Sequence, residues 1–233
     1  MIIHPEIKFL FRTIRFPFVF LALLWIIWAL DEAFNLNLYK WGILARDVNG
    51  IAGILFSPLL HSNFNHIASN SVPLLILGVI MFYFYRKIAF TVFICVYLTT
   101  GISVWLFARS GAYHIGASGL IYAFVCFLFY SGIFRKNRRL LSLSLLVTFL
   151  YGSLIFGVTP FNGRKTSWES HLIGSISGGI TAFLLRKKGP INDRYTWDDE
   201  EETEALALLH QQKRLVIMPS TGFHIFPVKP ECT

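Results

Sequence analysis

Residues 64–108 read FNHIASNSVPLLILGVIMFYFYRKIAFTVFICVYLTTGISVWLFA. Two runs without a single charged side chain are separated only by Arg86 and Lys87. A helix needs about 20 apolar residues to cross the hydrocarbon core of a bilayer, so each run is long enough to span and the basic pair marks the turn between them. Working outward, further apolar runs cover 16–30, 117–134, 140–158 and 171–185, the first of them short. The composition agrees: of 233 residues, 55% are hydrophobic and 15% charged, against about 25% charged in an ordinary soluble domain. The expected fold is an all-α polytopic membrane protein with six transmembrane helices.

Lys and Arg set the orientation, because short cytoplasmic loops carry the excess of positive charge. One side of the six-span arrangement receives Lys8, Arg12 and Arg15, then Arg86 and Lys87, then Arg135, Lys136, Arg138 and Arg139, then Arg186, Lys187 and Lys188. The other receives only Lys40, Arg46, Arg109, Arg164 and Lys165. Both termini are therefore expected in the cytoplasm, with the lipid bilayer as the protein's solvent and a plasma or inner membrane as its location. The net charge of +8 reads as this topology signal, and no nucleic-acid partner is expected. The start lacks a short apolar stretch followed by a small-residue cleavage site, so the first run is expected to stay as a span. Residues 1–188 are read as the membrane core and 189–233 as a cytoplasmic tail, which opens on Gly189 and Pro190 and contains an acidic run at 198–202. Residues 31–60 form a long outer loop. Cys95, Cys126 and Cys232 have neither disulfide-framework nor metal-ligand spacing.

Polar side chains inside a span are costly, so each asks for an explanation. His61 precedes the second span, and His66 and Asn70 lie four apart within it, on one helical face. Gly116, Ala117, Ser118 and Gly119 open the fourth span, and His171 opens the sixth, followed by Gly174 and Gly178. Spans two, four and six all enter the membrane from the outer side in the derived topology, so these groups share one membrane depth. The chemistry that fits is nucleophilic acyl transfer, with Ser118 as nucleophile and His171 as its base. No Asp or Glu lies in the assigned spans, so a dyad is expected, with the imidazole packed against Tyr122. The Ser118 N–H at its helix start, with side-chain donors from His66 and Asn70, would meet the developing oxyanion. Gly116 and Gly119 allow close backbone approach, and Gly174 with Gly178 would let span six pack tightly on span four.

Each element also has a plain structural reading: a serine at a helix start is commonly a cap, and a G-x-x-x-G spacing is commonly only packing. Their coincidence at one depth is what favours a site. Three other classes fit the residues less well. A non-catalytic binder of membrane helices would not require Ser118 and His171. A zinc hydrolase using His61, His66 and His171 suffers from the five-residue separation of the first two and the absence of H-E-x-x-H. A transporter would call for paired intramembrane charges or an inverted repeat.

With these residues in place, the sequence resembles the rhomboid intramembrane serine proteases. The matching pieces are Ser57-Pro58-Leu59-Leu60-His61, then Asn65-His66 and Asn70, then Gly116-Ala117-Ser118-Gly119 with Tyr122, and His171 with Gly174 and Gly178. The resemblance implies a six-helix bundle with an outward-opening aqueous cavity, a Ser118–His171 dyad and an oxyanion site of the Ser118 N–H, His66, Asn70 and Gly116. It further implies cleavage of single-span membrane proteins near the outer end of their helix, with no metal and no organic cofactor. One departure is visible. The Trp-Arg pair that many members carry in the first outer loop has no counterpart in Asn49-Gly50-Ile51-Ala52-Gly53-Ile54-Leu55-Phe56.

Overall fold

In lipid every backbone N–H and C=O must find a partner within the protein, and a helix satisfies them along its own length. The apolar runs accordingly fold as helices. The computed structural model describes residues 5–151, 168–190, 204, 206–210 and 212. In chain order the helices are α1 (Pro5–Phe34), the single turn α2 (Gly53–Phe56), α3 (Phe64–Phe84), α4 (Ala89–Phe107), α5 (Ser118–Arg135), α6 (Arg138–Tyr151) and α7 (Trp168–Leu184). Two short strands, β1 (Ile43–Leu44) and β2 (Tyr113–His114), pair antiparallel. Met1–Asn192 form one unit and Asp193–Thr233 another; the tail's acidic run lies outside the described residues.

Among the described residues, four helices are long and apolar enough to cross a membrane: Thr13–Phe34, Phe64–Phe84, Ala89–Phe107 and Ser118–Arg135. The first is longer than the run 16–30 read from the sequence, because the helix carries through the polar residues Asp31 and Glu32 at its C-terminal end. The remaining part of the run 140–158, beyond residue 151, lies outside the described residues, and α7 has 17 residues.

Helices α5 and α7 make the tightest contact of the fold. A Cβ placed on Gly174 would fall on the Gly119 carbonyl oxygen, and one on Gly178 would fall on that of Ala123. The two contacts advance by four residues on both helices, so α5 and α7 run parallel with their backbones touching. Only glycine permits that approach. At the far end Arg135 closes the pair: its guanidinium donates to the Leu185 carbonyl at 2.7 Å and to that of Lys188, while its Nε donates to Ser131 Oγ at 2.9 Å. The buried core gathers Leu74, Leu77 and Met81 of α3, Val92 and Val96 of α4 and Ile121, Phe124 and Phe127 of α5.

The long loop is folded rather than loose. β1 pairs Ile43 with His114 and Leu44 with Tyr113, fastening the loop to the segment that leads into α5. Arg46 adopts a left-handed φ of 59° and caps the end of α4, its N–H donating to the Trp105 carbonyl at 2.9 Å and its guanidinium to those of Leu106 and Ala108 at 3.2 and 2.9 Å. Trp105 Nε1 returns a hydrogen bond to the Asp47 carbonyl at 2.9 Å. The loop lacks an adjacent Trp-Arg pair, yet an arginine of the loop and a tryptophan of α4 fasten it through the tertiary structure.

Candidate active site

Ser118 is the first residue of α5. The chain reaches it through Gly116, whose φ of +109° is open to glycine alone. The Gly116 N–H donates to the Ser57 carbonyl at 2.8 Å, which holds the turn against the loop between α1 and α3. A helix that begins at this turn leaves its first N–H groups without intrahelical partners and points its dipole at the space above them.

His171 is the fourth described residue of α7 and is buried at the α5 interface. Its Nε2 lies 2.8 Å from Ser118 Oγ. The Tyr122 ring, one turn deeper in α5 than Ser118, stacks on the imidazole at 4.3 Å between centroids with 12° between planes. The α5–α7 contact at Gly119 and Gly174 lies directly beneath this pair, so the crossing that glycine permits also sets the distance between hydroxyl and ring.

His66 and Asn70 stand in the first two turns of α3, which Asn63 caps by accepting from the His66 N–H at 2.9 Å. A Cβ at Gly116 would stand 2.6 Å from His66 Nε2 and 3.7 Å from Asn70 Nδ2. The His66 ring thus packs against Gly116, two residues before Ser118, so closely that a side chain there would strike it, and the Asn70 amide nitrogen lies just beyond. Electrostatically, His66 has His171 as its neighbour. His61 lies outside the helix in the turn before α3, buried to 4% exposure. Burial, with a smaller contribution from neighbouring His66, holds its imidazole well below the ordinary value, down to about 3. The ring is therefore neutral at any working pH. Ile43, Ser57, Thr100, His114 and Ser170 surround a small cavity behind Gly116 and Gly119.

The residues singled out in the sequence thus fall in two groups. Ser118, His171, Tyr122, Gly119, Gly174 and Gly178 meet where α5 crosses α7. His61, His66, Asn70 and Gly116 meet between the start of α3 and the turn before α5. His114 is buried on β2, its Nε2 3.1 Å from the Arg109 carbonyl oxygen. Among the described residues no three of His, Cys, Asp and Glu form a group able to hold a metal ion.

One acidic residue escaped the sequence reading. Glu169 lies in the first turn of α7, two residues before His171, and is buried to 9% exposure. Its Oε1 pairs with Arg109 Nε at 3.4 Å, joining α7 to the segment after α4. The hydropathy boundary at residue 171 left it outside the span, although an acidic side chain in a first helical turn is favoured by the dipole. Its role was hidden because an ion pair between positions 109 and 169 has no local signature.

The family model described as the Rhomboid domain matches residues 49–188. The chain is also similar to uncharacterized proteins of Mycobacterium tuberculosis, at 33% identity over 173 residues covering 71% of this chain and 72% of the relative. A further uncharacterized protein, from Mycobacterium leprae, is 35% identical over 173 residues, covering 71% of this chain and 68% of the relative.

Proposed function

Because the chain belongs to the rhomboid family of intramembrane proteases, we propose that it is a serine endopeptidase that cuts transmembrane segments of other membrane proteins with a Ser118–His171 dyad. The observation that carries this reading is the 2.8 Å contact between His171 Nε2 and Ser118 Oγ. A serine hydroxyl is a weak nucleophile until a base within hydrogen-bond reach takes its proton. For Nε2 to accept that proton the imidazole must start neutral with its hydrogen on Nδ1.

Ser118 Oγ attacks the peptide carbonyl while His171 takes the hydroxyl proton. The carbonyl oxygen becomes an oxyanion, met by the Ser118 N–H at the start of α5 and by the side chains of His66 and Asn70. His171 then returns the proton to the leaving amine, which breaks the C–N bond and leaves an acyl-serine. A water molecule, deprotonated by the same imidazole, hydrolyses the ester.

The substrates of this reading are single-span membrane proteins whose helix unwinds locally near its outer end. The protein would be a multi-pass protein of the plasma or inner membrane with six spans and both termini cytoplasmic. The four long apolar helices and the clustering of Lys and Arg at 86–87, 135–139 and 186–188 support this. Residues 1–188 would carry the activity and 189–233 form a cytoplasmic tail, with no metal or cofactor required.

The test is labelling of the detergent-solubilised protein with a fluorophosphonate, read by intact mass. A single adduct on the wild type, lost in Ser118→Ala and in His171→Ala, is the expected result. A folded wild type that takes no adduct would overturn the assignment and leave a non-catalytic binder of client helices.

A further inference from the structure

His61 takes no part in the dyad and, as a buried neutral imidazole outside the helix, has no evident reason to be histidine. Its surroundings supply one. Nε2 lies 3.1 Å from Asn70 Nδ2 and 3.4 Å from the backbone nitrogen of Ala117. A backbone amide can only donate, so Nε2 carries the lone pair and the ring proton is on Nδ1. With that tautomer fixed, the Asn70 side chain can bond to His61 only through its NH2 group, because turning its carbonyl oxygen toward Nε2 would set two lone pairs against each other. A primary amide has two N–H bonds. One is taken by His61, and Nδ2 also lies 3.7 Å from where a Cβ on Gly116 would stand, on the side where His66 Nε2 packs against that glycine.

We infer that His61 is a positioning residue for the proteolytic reaction, its Nε2 lone pair holding the Asn70 amide so that one N–H faces the oxyanion. The inference rests on the proposed role of Asn70 as an oxyanion donor and adds to it the group that selects which end of that amide is presented. The same lone pair accepts from Ala117, the residue before Ser118. His61 therefore ties the start of α3 to the turn that leads into α5, and sets the two sources of oxyanion donors in register. Burial keeps the ring neutral, so the acceptor persists over the whole pH range in which a histidine base operates.

The test is a double-mutant cycle on the full chain in detergent, reading the rate of fluorophosphonate labelling, whose phosphoryl oxygen must lie where the oxyanion develops. Maximal rate and half-saturating concentration are measured separately. Asn70→Ala is expected to slow the maximal rate by roughly ten- to a thousandfold, the range found on losing an oxyanion donor. His61→Leu should slow it by a comparable factor with little change in half-saturation. The double variant should be no slower than Asn70→Ala alone, because His61 acts only through Asn70. His61→Gln, whose Oε1 can reach the position of Nε2 and accept from both N–H groups, should recover most of the rate, whereas His61→Asn, with a shorter reach, should not.

A His61→Leu rate equal to wild type while Asn70→Ala is slow would overturn the inference and leave the role of Asn70 standing. Multiplying rather than coinciding effects in the double variant would overturn it as well, since they indicate a separate structural role. A wild-type rate for Asn70→Ala would instead remove the oxyanion reading itself. Should His61→Leu fail to fold, the Gln and Asn variants decide, and equal rates for the two would overturn the inference.

Discussion

Ser118 and His171 are 53 positions apart in the chain and 2.8 Å apart in space, the contact on which the proposed dyad rests. The Tyr122 ring fixes the plane of the His171 imidazole by stacking. His61 shows the opposite use of histidine, as a permanently neutral acceptor. Its pH dependence has a definite sign. The folded-state value of about 3 lies below the ordinary 6.5, so on acidification the unfolded chain takes up the proton first. The contribution of His61 to stability is then fully present above about pH 6.5 and is lost as the pH falls toward 3, by on the order of a few kcal/mol in all. Asp31 and Glu32 line a chamber with His61, and the centroid of the His66 ring lies 5.0 Å from its own, so other ionisable groups stand beside it. The comparison must therefore be between variants rather than on the wild type alone. Thermal melting in detergent from pH 7 to pH 4 should fall more steeply for wild type than for His61→Gln. Parallel curves would show that His61 is not protonated on unfolding.

At the scale of the elements, the site depends on how closely α5 and α7 approach. Gly174 and Gly178 face the Gly119 and Ala123 carbonyls with no room for a side chain, whereas Gly179, the next residue, faces the Tyr130 ring at 3.3 Å from a Cβ. A methyl group at position 178 would strike backbone, which can yield only by separating the helices, and that separation acts directly on the Ser118–His171 distance. Gly178→Ala should therefore cost about 1–3 kcal/mol as overpacking and lower fluorophosphonate labelling by at least an order of magnitude. Gly179→Ala meets a ring that can shift, and alanine is the better helix former by about 1 kcal/mol, so its melting temperature and labelling should stay close to wild type. Equal losses in both would mean that helix separation is not the controlling variable. Arg135 is a fastening for the opposite end, since its guanidinium donates to the Leu185 and Lys188 carbonyls just beyond the end of α7.

Across the whole molecule, the segments around Ser118, His171 and His66 lie at the N-terminal ends of α5, α7 and α3, and the dense basic clusters lie at the opposite ends of those helices. In a variant lacking Cys95, Cys126 and Cys232, a single cysteine at Ser110→Cys should react with a membrane-impermeant maleimide on intact cells, and one at Lys187→Cys only after permeabilisation. The reverse pattern would invert the proposed topology. The long apolar helices and the residue types of the site could be read from the sequence because span length, hydropathy and charge bias are local properties, legible in windows of about 20 residues. The polar groups at the starts of α3, α5 and α7 were legible for the same reason, since a polar side chain at the edge of an apolar run is itself a local signal. The extra turn of α1 through Asp31 and Glu32 was not, because hydropathy marks where a segment stops being apolar and not where its helix ends. The joining of Arg46 with Trp105, of Arg109 with Glu169 and of His61 with Ala117 could be decided only by the tertiary structure. Each pairs ordinary residue types across more than fifty positions, and a hydrogen bond's direction, which fixes the tautomer of His61, exists only once both partners are in place.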